Sequence, residues 1–519
     1  MTSPDPKERG PMHEVKQKDD RRWLVLVVMC LSMLVLQVDN TVLYVALPVI
    51  GRDLGASPEE LQWIVAAYLI AFSGLLLLAG NLSDRFGRRR LLMIGLVLFG
   101  LASLSATWAT DTSALIAARG LMGVGGALMM PSTMSILIVT FPEETERRKA
   151  MSLFAITSVF GLVGGPILGG YLTDQFNWSA IFWVNVPIVA LALAASALFM
   201  TESTAPHRRF DPVGAVLSLV GATALAGGII AVPRGNGGLV VATLCVAGAT
   251  LVAFVAWELR RHEPMVPLEL FRSRQFTGSC LSILLLQVAL AGLLLVFTQY
   301  LQSVLGYSPT MAATALLPVV VSMILVQPLA TVAGTRFGQR PVLVVGLIAL
   351  AAGLALLPLL GYRAGFPALL LPLAFFGAGA GLAQPAAMTV LTGAIPQRYA
   401  GIGSALNDTM LQLGAALGVA VLGSVLSATY SSRLPADLPS AAGRSLDDAL
   451  NLAQATGEPQ VAALASYAFF EGVSVALWVS ASIVIVAALV AQLALSAGRQ
   501  PDSVGDSSID APPVHEHVP

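Results

Sequence analysis

Arg85-Phe86-Gly87-Arg88-Arg89 and Arg336-Phe337-Gly338-Gln339-Arg340 are two spellings of one basic loop, 251 residues apart and each flanked by long apolar runs. A second pair keeps nearly the same spacing. Gly123-Val-Gly125-Gly-Ala-Leu128-Met129-Met130-Pro131-Ser-Thr-Met134 parallels Gly377-Ala-Gly379-Ala-Gly-Leu382-Ala-Gln384-Pro385-Ala-Ala-Met388 at an offset of 254. Offsets that agree this closely mark an internal duplication, and parallel repeats around a midplane site are the build of a secondary transporter. Small residues spaced by four also let helix backbones approach, so the same glycines serve packing.

The runs around these loops set the fold. A helix needs about 20 mostly apolar residues to cross the hydrocarbon of a bilayer. Fourteen runs meet that length: 24–48, 60–80, 91–108, 113–138, 150–172, 179–200, 213–232, 239–259, 276–303, 310–333, 341–360, 366–393, 401–428 and 465–495. They are continuous rather than alternating, which argues against a β-barrel. The expected fold is therefore all-α and polytopic, two six-helix bundles plus two inserted helices. Residues 1–22 form a cytoplasmic tail, 23–200 the first bundle, 201–274 the insertion and 275–495 the second bundle, with a long outer loop at 429–464 and a disordered tail at 496–519. Ser57-Pro58-Glu59-Glu60 reads as a capping box, and Asp211-Pro212 and Ser308-Pro309 repeat the cap-then-proline pattern at other helix starts.

Composition narrows the function. Of 519 residues, 56% are apolar and 11% charged, against roughly 25% charged in a soluble domain. With 29 basic and 30 acidic residues there is no argument for nucleic acid as a partner. Cys30, Cys245 and Cys280 lie in apolar runs and all five histidines in polar segments, so neither a disulfide framework nor a metal site is expected. The chain has no phosphate-binding loop for ATP and no nucleophile motif in the runs. With a cytoplasmic N-terminus, 23 of the 29 Lys and Arg fall on the inner side, which puts both termini in the cytoplasm. Arg outnumbers Lys by 25 to 4, the composition of a GC-rich bacterial genome, so the expected location is a bacterial cell (inner) membrane.

Gly80-Asn-Leu82-Ser-Asp84-Arg85-Phe-Gly87-Arg88-Arg89 resembles the loop signature of the major facilitator superfamily, and Arg119-Gly-Leu-Met-Gly123-Val-Gly125 resembles its helix 4 signature. Gly161-Leu-Val-Gly-Gly165-Pro166-Ile-Leu-Gly169-Gly170 is similar to its antiporter helix. Asp39-Asn-Thr41-Val-Leu-Tyr-Val-Ala46-Leu47-Pro48, Trp178 with Phe182, Asn185 and Pro187, and Gln299-Tyr300-Leu-Gln302-Ser-Val-Leu-Gly306 resemble its fourteen-helix drug/proton antiporter branch. The pattern is broken at Ser152, where a glycine is usual, and at Thr335, the second-half counterpart of Asp84.

A charge at mid-bilayer costs about 3 kcal/mol on insertion scales, so Asp39, Arg119, Asp408 and Glu471 stand out. Asp39 lies ~13 Å below the outer end of the first run and Arg119 ~10 Å below the outer start of the fourth, so they can pair or share a water. Such a pair is either a structural salt bridge or, as the resemblance implies, the proton-coupling site. Burial favours the protonated acid and a nearby cation the carboxylate, and the two together can tune it. Asp408, ~12 Å inside the cytoplasmic end of its run, is either a second protonation site or a packing hydrogen bond. Glu471 is close enough to the interface to snorkel.

The resemblance also implies a cytoplasmic gate at Gly80, Asp84, Arg85, Gly87, Arg88 and Arg89, although positive-inside anchoring alone explains the arginines. Gly165-Pro166 permits a bend in its helix. Gln37, Asn40, Tyr44, Gln287, Gln299 and Gln384 are the expected polar residues of a central cavity, with Met129 and Met130 as an adaptable wall. The expected function is a proton-coupled antiporter exporting amphipathic drugs or secreted metabolites by alternating access. It needs no cofactor, and its partners are a small amphipathic molecule, protons and the lipid bilayer. A proton symporter importing a solute and a membrane-embedded enzyme are the alternatives.

Overall fold

The computed structural model describes residues 10–204, 211–261, 264–362, 364–396, 400–435, 438 and 442–495. The tail expected at 496–519 and the first nine residues lie outside them. Among the described residues, fourteen helices are long and apolar enough to cross a membrane, and the protein is a multi-pass membrane protein. The first six are α1 (Arg21–Leu54), α2 (Pro58–Phe86), α3 (Arg88–Thr107), α4 (Thr112–Thr140), α5 (Glu144–Gln175) and α6 (Ala180–Phe199). Two inserted helices follow, α7 (Pro212–Ile230) and α8 (Gly237–Arg260). The second six are α9 (Arg274–Val304), α10 (Pro309–Phe337), α11 (Gln339–Leu359), α12 (Phe366–Gly393), α13 (Gly403–Arg433) and α14 (Pro459–Ala494). An even number of crossings brings the chain back to the side on which it starts. The bundle therefore has a termini end and a far end.

Local chemistry sets the boundaries. At the start of α2 the Ser57 hydroxyl accepts from the Glu60 amide while the Glu60 carboxylate accepts from the Ser57 amide, a complete capping box. Asp211 and Ser308 cap α7 and α10 with a single bond each, accepting from the Gly214 and Met311 amides. The turn from α2 to α3 is made at Gly87 (φ 110°) and that from α10 to α11 at Gly338 (φ 88°). A side chain is strained there, which is why the repeated loop keeps its glycine. Helix α6 is interrupted at Val184, because Pro187 has no N–H to give the Trp183 carbonyl.

The long outer loop expected at 429–464 is shorter. Helix α13 continues to Arg433, α14 starts at Pro459, and Leu446–Thr456 forms a helix of its own. Its Leu446, Ala449 and Ala453 are buried on one face, a helical spacing that the polar setting of the segment masked. The Tyr430 hydroxyl pins the turn before it by donating to the Ala442 and Ser445 carbonyls.

The two halves repeat one another in contact as well as in sequence. A Cβ added at Gly95 would lie 2.9 Å from the Gly125 carbonyl, and one added at Gly346 would lie 2.9 Å from the Gly379 carbonyl. Gly123 closes on the Tyr68 carbonyl and Gly377 on the Val319 carbonyl. Gly161 packs on the Cβ of Gln37, as Gly414 packs on that of Gln287. At the termini end, Arg89 donates to the Ala197 carbonyl and Arg340 to the Gln492 carbonyl, each within its own half. Two apolar cores are buried, one centred on each half, and that of the first half also takes in Ala291, Leu295 and Val419 of the second.

Among the described residues, hydrogen bonds between the halves lie at the far end. Gln302 Nε2 donates to the Val45 carbonyl at 2.8 Å, and Asp174 on α5 accepts from the Ser308 hydroxyl (3.1 Å) and the Thr310 amide (2.9 Å) at the start of α10. Gly423 packs on Gln62, and beside it Ser424 donates to the Ile229 carbonyl of α7. The inserted α7 thus lies along both α2 and α13, while α8 packs mainly on α7 and leaves most of its surface outward.

Candidate functional site

Asp39 and Arg119, the charges expected to be the most costly, meet in the core of the first half. Arg119 Nη1 donates to Asp39 Oδ2 at 2.6 Å, and the side chains are 1% and 0% exposed. Desolvating such a pair costs several kcal/mol per ion, and only good geometry with further hydrogen bonds offsets that. Both ions have such support. Arg119 Nε donates to the Ile64 carbonyl (3.2 Å), and its guanidinium lies 4.4 Å from the Tyr68 ring centre. On the other side, Asn185 Nδ2 donates to Asp39 Oδ1 (3.0 Å) and lies 3.2 Å from the Ser103 hydroxyl, which donates to the Phe182 carbonyl. Four helices, α1, α3, α4 and α6, supply these side chains, and α2 supplies the carbonyl and the ring.

Two buried polar atoms in this cluster have no partner, the Tyr68 hydroxyl and Asn185 Oδ1. Asn185 stood in the sequence as part of a family likeness with no role assigned. Ser103 and Tyr68 gave no signal, because a neutral polar side chain in an apolar run is inexpensive. Glu202 was likewise silent. It accepts from the Arg89 and Arg90 amides, an N-terminal position on α3 that suits a carboxylate.

The other expected residues are placed apart from this pair. Asp408 is half-buried on α13 and accepts from the Asn407 amide at 3.1 Å. Glu471 faces Arg433 at 3.5 Å. In the basic loop, Asp84 accepts from Arg88 (2.9 Å), Arg85 lies over the Phe86 ring, Gly87 packs on Glu202, and Gly80 approaches Pro131. Each of these basic-loop contacts is made within the first half or to Glu202 just beyond it, and none reaches the second half. In the glycine helix, Gly161, Gly165 and Gly169 face Gln37, Thr41 and Val42 of α1, and Gly170 packs on Pro309 and Thr310 across the far-end contact. Pro166 sits inside an unbroken α5.

Among the expected cavity residues, Gln37, Asn40, Gln287, Gln299 and Gln384 are half-buried. The repeated glycine contact makes Gln37 and Gln287 counterparts, one in each half, and Gln287 Oε1 is buried without a partner. Tyr44 departs from this set. It is 4% exposed and belongs to the core of the first half.

Comparison with known proteins bears on the whole chain. The sequence profile of the Major Facilitator Superfamily matches residues 29–435. The chain is 34% identical over 487 residues to the multidrug efflux pump LfrA of Mycolicibacterium smegmatis, an alignment covering 91% of this chain and 96% of that one. It is also 34% identical to the methyl viologen resistance protein SmvA of Salmonella typhimurium, covering 90% and 97%. Among solved structures, a bacterial homologue of the human lysosomal transporter Spinster, in an inward-facing and occupied conformation, superposes with a TM-score of 0.64 at 19% identity, covering 91% of this chain and 96% of that one.

Proposed function

The chain belongs to the Major Facilitator Superfamily, and from that premise we propose that it is a proton-coupled antiporter exporting amphipathic drugs or secreted metabolites through a bacterial cell membrane. Both termini are cytoplasmic in this reading, so the arrangement closed at the far end is the inward-facing one. The relatives named as efflux pump and resistance protein support export of drug-like compounds. Methyl viologen, in the name of one of them, is a dication, which supports cationic substrates. The proton gradient is the sole energy source, with no ATP and no cofactor, and the chain is not an enzyme.

The observation that carries the coupling is the Asp39–Arg119 pair, sealed in the core of one half. Arg119 is held independently by the Ile64 carbonyl and the Tyr68 ring. It can therefore stay in place while Asp39 gains and loses a proton, and the site alternates between neutral and positive. A positive site disfavours a cationic substrate, which is the competition an antiporter needs. Asp39→Asn is nearly isosteric and keeps an acceptor for Arg119, so the variant should fold, insert and let substrate run downhill while losing uphill export. Vesicles of this variant that still accumulate a cationic dye against its gradient would remove Asp39 from the role. Substrate-dependent proton efflux from vesicles of the wild-type protein separates antiport from symport.

A further inference from the structure

Asn185 is fully buried, and its two amide ends are in unequal circumstances. Nδ2 is engaged with Asp39 Oδ1 at 3.0 Å and with Ser103 at 3.2 Å, while Oδ1 is buried without a donor. An ionised carboxylate only accepts hydrogen bonds, so the donor end must face it. A protonated Asp39 has the opposite requirement at one oxygen, a buried O–H in need of an acceptor. Oδ2 is taken by Arg119, leaving Oδ1 as the oxygen on which the proton can reside. The idle end of the Asn185 amide is the group that can meet it.

We propose that Asn185 is the positioning residue of the proton site and serves both charge states of Asp39 by a half-turn of its amide. With Asp39 ionised, Nδ2 donates to Oδ1. When a proton binds Oδ1 and the carboxylate becomes a carboxylic acid, the amide turns over and its own Oδ1 accepts from the new O–H. The Ser103 hydroxyl follows by rotating from accepting the amide N–H to donating to the amide oxygen, and gives up its hydrogen bond to the Phe182 carbonyl. No other bond forms or breaks, and release of the proton reverses the sequence. Arg119 is not displaced, since its contacts with Ile64 and Tyr68 do not depend on Asp39.

The inference rests on the reading of Asp39 as the proton carrier, and infrared difference spectroscopy of the reconstituted protein between acidic and alkaline buffer tests the two separately. The carboxylic-acid band of Asp39 is the one lost in Asp39→Asn; if no band is lost, the carrier reading fails. If a band is lost, wild type should also show a side-chain amide change that disappears in Asn185→Leu, and the Asp39 band should move to higher wavenumber there as its hydrogen bond is lost. Uphill export by Asn185→Leu should fall about tenfold, the worth of one charge-assisted hydrogen bond. An Asp39 band of unchanged frequency in Asn185→Leu, or the absence of an amide change in wild type, would overturn the role of Asn185. Should the leucine variant not fold, Asn185→Ser keeps a hydroxyl that both donates and accepts. Its Asp39 band should then shift while uphill export survives, and an unshifted band would overturn the proposal equally.

Discussion

The partners of Arg119 include an anion, a carbonyl and an aromatic face, and a lysine cannot satisfy these together. Arg119→Lys should therefore retain charge but lose most uphill transport. Arg119→Ala removes the cation entirely and leaves the buried carboxyl of Asp39 without its ion-pair partner. The pH profile of export should shift accordingly, and a profile with unchanged midpoint and amplitude would show that the two residues do not communicate. Both charges were legible in the sequence because each violates the solvent around it. Asn185, Ser103 and Tyr68 violate nothing, and only the fold gathers them around the Asp39–Arg119 pair.

At the scale of elements, helix α5 offers a controlled comparison between neighbouring glycines. A Cβ at Gly164 meets nothing within 4 Å, while one at Gly165 collides with the Thr41 hydroxyl of α1. Gly164→Ala should be neutral, and Gly165→Ala should cost about 1–3 kcal/mol, the usual range for overpacking. Thr41→Ala should restore part of that loss in the double variant, as melting in detergent would register. The inserted pair has a different fastening. Burial pushes the Asp211 carboxyl up, but hydrogen bonds from the Gly214 amide, the Trp257 indole and Arg261 outweigh it and hold the group below the ordinary aspartate range. A depressed carboxyl stabilises the fold above its unfolded value of about 4 and loses that contribution as the pH falls through its folded value. Wild type should thus lose melting temperature on acidification through that window, and Asp211→Asn should start lower and lose less. The caps that begin α2, α7 and α10 were readable because they are local chemistry. The helix at Leu446–Thr456 was not, since its apolar face is short and lies among polar residues.

For the whole molecule, the duplication was plain in the sequence, but how the halves meet was not. That depends on which state the transporter occupies, and a sequence encodes all of them. Asp174 caps the start of α10 from the opposite half, a contact available only while the far end is closed. Asp84 makes its contacts within its own half here, so its loss costs this state little. Asp174→Ala should therefore favour opening at the far end, and Asp84→Asn should favour the arrangement described here. Each shift is limited to a differential contact of about 1–2 kcal/mol, or 5- to 30-fold in population. Thr335→Val should do little. Thiol labelling at introduced cysteines near either end, with Cys30, Cys245 and Cys280 replaced, would read both shifts, and equal labelling of either variant and wild type would reject the corresponding contact as a gate.

The repeated glycine contacts also show what the second half has in place of the charges. Counting from Gln37 and its counterpart Gln287, Asp39 corresponds to Ala289; counting from Gly123 and Gly377, Arg119 corresponds to Leu373; both counterparts are fully buried. After the gene doubled, one copy thus came to hold an ion pair where the other holds hydrocarbon, and the protein carries its own natural double replacement. The scaffold evidently tolerates an apolar filling at that place, as buried ion pairs often allow. Descent from one ancestral bundle left the copies unequal, with a buried ion pair in the first and hydrocarbon at the corresponding place in the second.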